Sequence, residues 1–547
     1  MIPINTQATQ GLVNDPMADG IASGWKAFEA HSRELPANIS VDVAIIGTGA
    51  GGGITAELCA KAGLSVLLIE EGPLKSSRDF KMRESEAYAS LYQEATGRKT
   101  ADKAIGILQG RAVGGSTTVN WTSSFRTPTD TLNHWQSEFG LSDYTTDALA
   151  PWFEQAERRL NVSDWAVPPN ENNDILKRGA EKRNISWGYI RRNVNGCWNL
   201  GYCGMGCPTN AKQSMLVSTI PTALGLGAQL IAGLRAQAFS FEGRRIKGLT
   251  CAVMNPDGVL PSGRTVQVTA KHFVLSGGSI NSPALLLRSG APDPYGVLGK
   301  RTFLHPVVVS AAKMKEPVRA DAGAPQTVYS DHYLHTQAVN GPLGFKLEAP
   351  PLHPVIFSSI MPGFGPSHRA IMTQFNHMHM QLALIRDGFQ SGSVGGQVHL
   401  QSDGSPVLDY KLTPAIWDAA RRALRAMAEL QHAADAEFTL PVHDLATPAK
   451  SLDEALSQID KLEMKPLLMK VMSAHVMGGC GMASNDNKGV ASPEGRHWQI
   501  ENLSIHDGSL FPTSIGANPQ LSIYGIVNKL TQNMLKDVMG VTPTPLA

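Results

Sequence analysis

The run Val43-Ala-Ile-Ile46 is apolar at every position and stops at Gly47-Thr-Gly49-Ala-Gly-Gly52. Four consecutive apolar residues read as a strand buried on both faces. The glycines open a helix over Ile54 to Lys61, and a second apolar run, Val66-Leu-Leu-Ile69, ends on Glu70. A Gly-x-Gly-x-x-Gly alone is common, but here strand, glycines, helix, strand and an acid about 20 residues on form the dinucleotide-binding arrangement in its full context. Gly47 makes the tight turn, Gly49 lets backbone approach a pyrophosphate, and Gly52 lets helix and strand lie close. The free N–H groups of the helix N-terminus receive the pyrophosphate. Glu70 accepts a hydrogen bond from a ribose hydroxyl and repels a 2′-phosphate, which argues against NADP.

With 547 residues the chain has room for more than one domain and for large cores. Its net charge of +1, without a polybasic run or an acidic tail, gives no footing for nucleic acid or an anionic membrane surface. The longest apolar stretches fall short of the roughly 18 residues of a membrane-crossing helix. Met1-Ile-Pro-Ile-Asn-Thr-Gln has neither a basic nor an apolar segment of the kind a signal peptide needs, so the expected location is cytoplasmic.

Residues 1–40 read as an irregular leader, with Trp25-Lys-Ala-Phe-Glu-Ala as a helical turn packed on the body. A polar helical stretch is expected from about Phe80 to Ala101, and a helix from Thr146 to Leu160 with Trp152, Phe153, Ala156 and Leu160 inward. Between them, Gly110-Arg111-Ala-Val-Gly114-Gly115-Ser116-Thr-Thr-Val-Asn120 reads either as a second backbone cradle for a polyanion or ring system or as a tight surface turn. Ile246 to Met254, a turn at Pro256-Asp-Gly258, and Val266-Gln-Val form a strand pair. Lys271 to Ser276 is a further strand entering Gly277-Gly278 and a helix, so β and α alternate again and the nucleotide unit is discontinuous in sequence. From 306 to 465 the pattern changes: an alternating segment at Asn376 to Ile385, a hairpin around Asp403-Gly404, and an amphipathic helix from Pro414 to Ala436. This reads as an inserted α+β domain on an antiparallel sheet. His377 and His379 alternate there, but with no carboxylate or cysteine nearby they read as pocket or core histidines. The methionines and prolines from Leu352 to Met380 read as an apolar pocket wall.

The last block holds Ala474-His475-Val-Met-Gly478-Gly479, then Asp507-Gly508-Ser509, then Gly516-Ala-Asn518-Pro519. With the N-terminal fingerprint, the Arg111-Ala-Val-Gly-Gly-Ser-Thr motif and Gly278-Ser-Ile-Asn-Ser-Pro-Ala-Leu-Leu-Leu-Arg-Ser-Gly290, it resembles the glucose–methanol–choline (GMC) flavoprotein oxidoreductases over nearly the whole chain beyond residue 40. Ala291-Pro292 departs from the usual end of the fourth motif. The resemblance implies FAD, an α/β fold with a Rossmann-like FAD-binding domain, and an inserted substrate domain. It places His475 and Asn518 over the flavin N5 side as catalytic residues, a pairing more like the cholesterol-oxidase and fatty-alcohol-oxidase branches than the His–His sugar oxidases. It assigns Gly47, Gly49, Gly52, Glu70, Arg111, Gly114, Gly115, Ser116, Asn120, Asp507, Gly508 and Pro519 to the cofactor. Some relatives tether FAD through a histidine in the Gly-Gly motif; the corresponding residue is Val119, so the FAD is expected to be non-covalent. The chemistry agrees: an imidazole of near-neutral pKa suits the hydroxyl proton, an uncharged amide suits the substrate oxygen, and the hydride goes to flavin N5.

Cys197, Cys203 and Cys207 form a Gly-rich cluster, whereas Cys59, Cys251 and Cys480 are isolated. In a reducing compartment a cluster points to a metal or redox site more than to a disulfide framework. The spacing resembles the loop of bacterial FAD-dependent glucose dehydrogenases, which implies a 3Fe-4S cluster passing electrons from flavin to a cytochrome. Long-chain alcohol oxidases also carry Cys and Gly near this place, followed by a Lys as Lys212 follows here. A zinc site lacking a fourth ligand and a plain structural loop remain as alternatives.

These readings divide the chain into a leader (1–40), FAD-binding parts (41–125, 229–305 and 466–547), a cap with the cysteine loop (126–228) and a substrate domain (306–465). The expected activity is FAD-dependent oxidation of an alcohol, favouring a primary alcohol with a bulky apolar or aromatic body, to the aldehyde. Electrons leave through the cluster to a cytochrome, quinone or small-subunit partner, and a relative exported with such a subunit would be periplasmic. The alternatives are an O2-using alcohol oxidase with a structural cysteine loop, a sugar or polyol dehydrogenase, and a lyase or non-catalytic flavin subunit.

Overall fold

The computed structural model describes residues 13–547; the N-terminal stretch read above for targeting signals lies in residues 1–12, outside them. The apolar run at Val43 ends the strand Asn38–Ile46, whose last residues are buried. It pairs in parallel with Val66–Ile69 on one side, Val43 opposite Val66, and with Pro261–Leu275 on the other, Leu275 opposite Ile46. The sheet runs Ala27–Glu29, Gln229–Ala232, Val66–Ile69, Asn38–Ile46, Pro261–Leu275, Arg245–Met254, Leu234–Glu242, and Leu503–Ile505 also pairs with Pro261–Leu275. A parallel sheet must be covered on both faces. The helix Ala50–Lys61 supplies part of that cover and is buried from Gly51 to Ala60, against Thr219–Gly225 and Gln520–Asp537. The Rossmann-like unit is thus assembled from segments far apart in the chain.

The second sheet runs Ile105–Ile107, Val471–Ser473, Val307–Lys313, Met378–Ile385, Phe345–Glu348, Val328–Ser330, Gly188–Tyr189, with Phe438–Pro441 also on Val307–Lys313. It is antiparallel except between Ile105–Ile107 and Val471–Ser473. Three of its strands come from outside residues 306–465. The amphipathic helix Pro414–Ala433, capped by Thr413, lays Ala419, Ala423, Met427 and Leu430 against Val307–Lys313 and Met378–Ile385. The hairpin expected around Gly404 forms from Gln397–Leu400 and Pro406–Asp409.

Three local expectations differ from the structure. Among the described residues the leader is not irregular: Pro16–Ala22 is helical, and Ala27–Glu29, expected as a helical turn, is a strand beside Gln229–Ala232. Edge pairing there outweighs the weak local helical preference. The helix expected from Phe80 to Ala101 is confined to Glu84–Leu91; the chain then turns through Glu94, Ala95 and Thr96 at positive φ, bringing Gln93 and Glu94 to the Arg98 guanidinium. His377 lies in a short turn ahead of the strand rather than on it. The other histidine of that pair, His379, is fully buried, with Nδ1 on Asn172 Oδ1 at 2.8 Å.

Candidate active site

A cavity of about 1020 Å³ lies between the two sheets and follows the C-terminal ends of the parallel strands. Its nucleotide end is formed by Gly47 to Gly51 and Glu70. A Cβ at Gly47 would run into the Ser276 carbonyl, and one at Gly52 into the Gly47 carbonyl, which is the close helix–strand packing the fingerprint requires. Gly49 caps the helix without a side chain, leaving the first-turn N–H groups to a ligand. Glu70 lines the cavity; its carboxylate accepts from Thr48 Oγ1 at 2.6 Å and from Gly72 N–H at 2.9 Å, and burial outweighs these bonds and raises its pKa.

The second glycine loop faces the first. Gly115, at φ +55°, approaches Gly49 so closely that a Cβ would lie 2.7 Å from Gly49 Cα. Gly115, Ser116, Val119 and Asn120 line the cavity; Gly114 lies behind them at φ +90°. Arg111 is turned away: its guanidinium donates to Glu71 Oε1 at 3.2 Å and to the Gly258 carbonyl at 2.6 Å. Burial works against the Glu71 carboxylate, but Arg111 and Arg235 outweigh it and hold it at about 2. Asp507, Gly508 and Pro519 line the cavity; Asp507 accepts from Gly278 N–H at 2.8 Å and Ser282 Oγ at 2.6 Å, tying the motif after Leu275 to the C-terminal block.

His475 and Asn518 line the other end, beside an apolar wall of Val307, Val309, Leu352, Met380, Leu382 and Leu384. Burial pushes the His475 imidazole down to about 4, with Lys346 adding to the effect. Its Nδ1 lies 3.0 Å from Nδ1 of His305, whose Nε2 accepts from the Gly516 N–H at 3.1 Å. Asn518 Nδ2 donates to Glu348 Oε2 at 3.2 Å, while Asn518 Oδ1 is buried without a protein partner. Gln326 Nε2 donates to the same Glu348 oxygen at 2.5 Å, and Ser123 Oγ donates to Gln326 Oε1 at 2.8 Å. Lys346, two residues before Glu348, sits over the rings of Phe125 and Tyr329 at 3.0 and 4.2 Å. Burial raises the Glu348 pKa and lowers that of Lys346, and their mutual attraction opposes both shifts.

The cysteine loop stands behind the second glycine loop. Lys212, buried, donates through Nζ to the carbonyls of Thr118, Asn120 and Cys203 at 2.6, 2.9 and 2.8 Å. Each sulfur has its own donor: Asn199 N–H on Cys197, Arg192 on Cys203, and Lys212 N–H on Cys207. Among the described residues no group of three or more His, Cys, Asp or Glu side chains could hold a metal ion. The 3Fe-4S cluster expected from the spacing finds no support here: each of the three sulfurs accepts a hydrogen bond from a different donor.

Models for GMC oxidoreductases match residues 88–307 and 392–526. The chain belongs to the GMC oxidoreductase family. A long-chain-alcohol oxidase of Arabidopsis thaliana is 26% identical over 520 residues, covering 91% of this chain and 69% of its own length. A GMC-type oxidoreductase of Sinorhizobium fredii is 26% identical over 505 residues, covering 91% and 95%. Among solved structures, a formate oxidase variant of Aspergillus oryzae superposes with a TM-score of 0.67 at 14% identity, covering 92% of this chain and 100% of its own. A pyridoxine 4-oxidase from Mesorbium loti gives 0.67 at 18%, covering 90% and 98%.

GMC membership makes this an FAD-dependent oxidoreductase, and its cavity fits the cofactor. The two glycine loops meet where Gly115 has no room for a Cβ, a bare helix N-terminus opens beside them, and the buried Glu70 carboxylate lines the same end, where it would meet a ribose. Sequence reasoning missed His305, Lys346, Glu348 and Gln326. Lys346 and Glu348 alternate in Phe345-Lys-Leu-Glu348, which looks like a solvated strand face; only their buried location reveals a charged pair.

Proposed function

We propose that this protein oxidises an apolar primary alcohol to its aldehyde, with O2 as the electron acceptor. The observation that carries this reading is the pair His475 and Asn518 at the cavity end beside the apolar side chains of Val307, Val309, Leu352, Met380, Leu382 and Leu384. FAD, when bound, supplies the two-electron acceptor. The chain's own part is to hold the alcohol. The apolar wall takes the hydrocarbon body, while His475 Nε2 and the Asn518 amide take the oxygen. Holding the carbon at a fixed place removes much of the entropic barrier. His475 is the side chain placed to receive the hydroxyl proton. Non-covalent binding of FAD rests on Val119, which has no nucleophile to offer. In this reading 41–125, 229–305 and 466–547 serve the cofactor, 306–465 the substrate and 126–228 the cap. The acceptor assignment is supported by the relatives named as long-chain-alcohol oxidases.

The test is turnover of straight-chain primary alcohols in air-saturated buffer, with peroxide measured against aldehyde. Burial of each added CH2 is worth about 0.8 kcal/mol, so kcat/KM is expected to climb by up to about fourfold per carbon until the pocket is filled. Aldehyde without peroxide, with turnover only when a dye is supplied, would remove O2 as the acceptor. No turnover of any alcohol would remove the whole reading.

A further inference from the structure

We infer that His305 is a positioning residue that locks His475 in one tautomer, with the ring hydrogen on Nε2. The Gly516 backbone N–H is a donor only, and it points at His305 Nε2 at 3.1 Å. That nitrogen must therefore carry a lone pair. A neutral imidazole has one bare and one protonated nitrogen, so the hydrogen of His305 is on Nδ1. It is directed at His475 Nδ1, 3.0 Å away, which must in turn be bare. The hydrogen of His475 is left on Nε2.

Neutrality of both rings follows from their surroundings. His305 is fully buried, and desolvation holds its pKa well below the ordinary value; the neighbouring His475, Lys346 and Arg386 act in the same direction. The ring assignment is equally constrained. Turning the His305 ring over would put carbon opposite both Gly516 N and His475 Nδ1 and lose both bonds. The backbone fixes the pair: Thr302–Leu304 and Val476–Gly478 are paired strands, and His305 N–H donates to the His475 carbonyl at 3.3 Å. The rings meet edge to face at 87°.

The consequence for the chemistry rests on the alcohol oxidation proposed above; the tautomer itself does not. A resting Nε2–H is a hydrogen-bond donor to an alcohol or aldehyde oxygen. Before His475 can take a hydroxyl proton at Nε2, that hydrogen must leave. The arrangement with a bare Nε2 needs hydrogen on His475 Nδ1 and on His305 Nε2, where Gly516 N–H would face another N–H. His305 and Gly516 together therefore set how readily the imidazole becomes a base.

The test is a long-range 1H–15N spectrum of the FAD-loaded protein labelled with 15N-histidine, with His475 assigned by its loss in His475→Gln. The expected result is hydrogen on His475 Nε2 and a bare Nδ1 in the wild type, and a mixture of tautomers in His305→Ala or His305→Phe. Hydrogen on Nδ1, an imidazolium, or a His475 pattern unchanged in the folded His305 variants overturns the inference. If neither variant folds, the wild-type spectrum decides alone. A purely structural role for His305 would leave the tautomer unmoved. Absence of alcohol turnover beside the expected spectrum would sink the proposed function and leave the tautomer standing.

Discussion

Asn518 Nδ2 donates to Glu348 Oε2 at 3.2 Å, joining the amide at the cavity end to a carboxylate that has no contact with solvent. Glu348 in turn stands two residues from the buried Lys346, whose charge is offset by that carboxylate and by two aromatic rings. The two buried side chains attract each other without a direct salt bridge, and removing one of two buried opposite charges leaves the other uncompensated, while replacing both by neutral groups is often close to neutral. Glu348→Gln is therefore expected to lower the denaturant midpoint strongly, and adding Lys346→Met to it is expected to restore most of the loss. A double variant as unstable as the single one would show that the two charges are not coupled.

The approach of Gly115 to Gly49 gives a second prediction. In Gly115→Ala the added Cβ would lie 2.7 Å from Gly49 Cα, and the backbone at φ +55° already disfavours an L side chain. Both effects push the two glycine loops apart where a pyrophosphate would bind. The expected outcome is a folded protein with much reduced flavin content, read from the ratio of visible to ultraviolet absorbance. In the wild type, acid precipitation should release the flavin into the supernatant, because Val119 offers no atom for a covalent link.

The first 30 residues of the nucleotide-binding unit were legible because every requirement there is local. A glycine without room for a Cβ, an apolar run buried on both faces and an acid at a strand end all leave a mark in neighbouring residues. His475 and Asn518 were legible through motifs. The residues that hold them were not: His305 sits 170 positions from His475 and Glu348 sits 170 from Asn518, and neither contact leaves a periodic trace. The cysteine loop is the opposite case. Its spacing suggests a shared metal, but spacing does not fix the partner of each sulfur, and Cys197, Cys203 and Cys207 accept from Asn199, Arg192 and Lys212 in turn.

That difference makes iron content decisive. Protein purified without air is expected to contain FAD but no iron and no acid-labile sulfide, and to give no cluster signal by electron paramagnetic resonance. Iron and sulfide with a signal that disappears on adding alcohol would restore Cys197, Cys203 and Cys207 as ligands and replace O2 by a one-electron partner. Lys212→Met should be more damaging than loss of the sulfurs. It leaves the carbonyls of Thr118, Asn120 and Cys203 without their shared donor, each unsatisfied buried group costing about 1–3 kcal/mol, and the glycine loop carrying Val119 and Asn120 loses its support.

Acid sensitivity follows from three buried histidines that do not line the cavity. His272, His379 and His506 are buried, and desolvation brings each down to about 3, against about 6.5 in an unfolded chain. Between these values the unfolded chain binds protons that the folded one refuses. Stability is therefore complete above pH 6.5, falls as the pH drops through that window, and levels off below about 3. Each histidine contributes a slope of up to about 1.4 kcal/mol per pH unit, so the three together can remove about 4 kcal/mol per unit. Thermal midpoints measured from pH 7 to pH 4 are expected to fall with increasing steepness. His379→Gln, which can keep a bond to Asn172 Oδ1 but has no ring to protonate, should flatten the curve by about one proton. A midpoint that stays constant down to pH 4 would mean that these rings are charged, or solvated, in the folded protein.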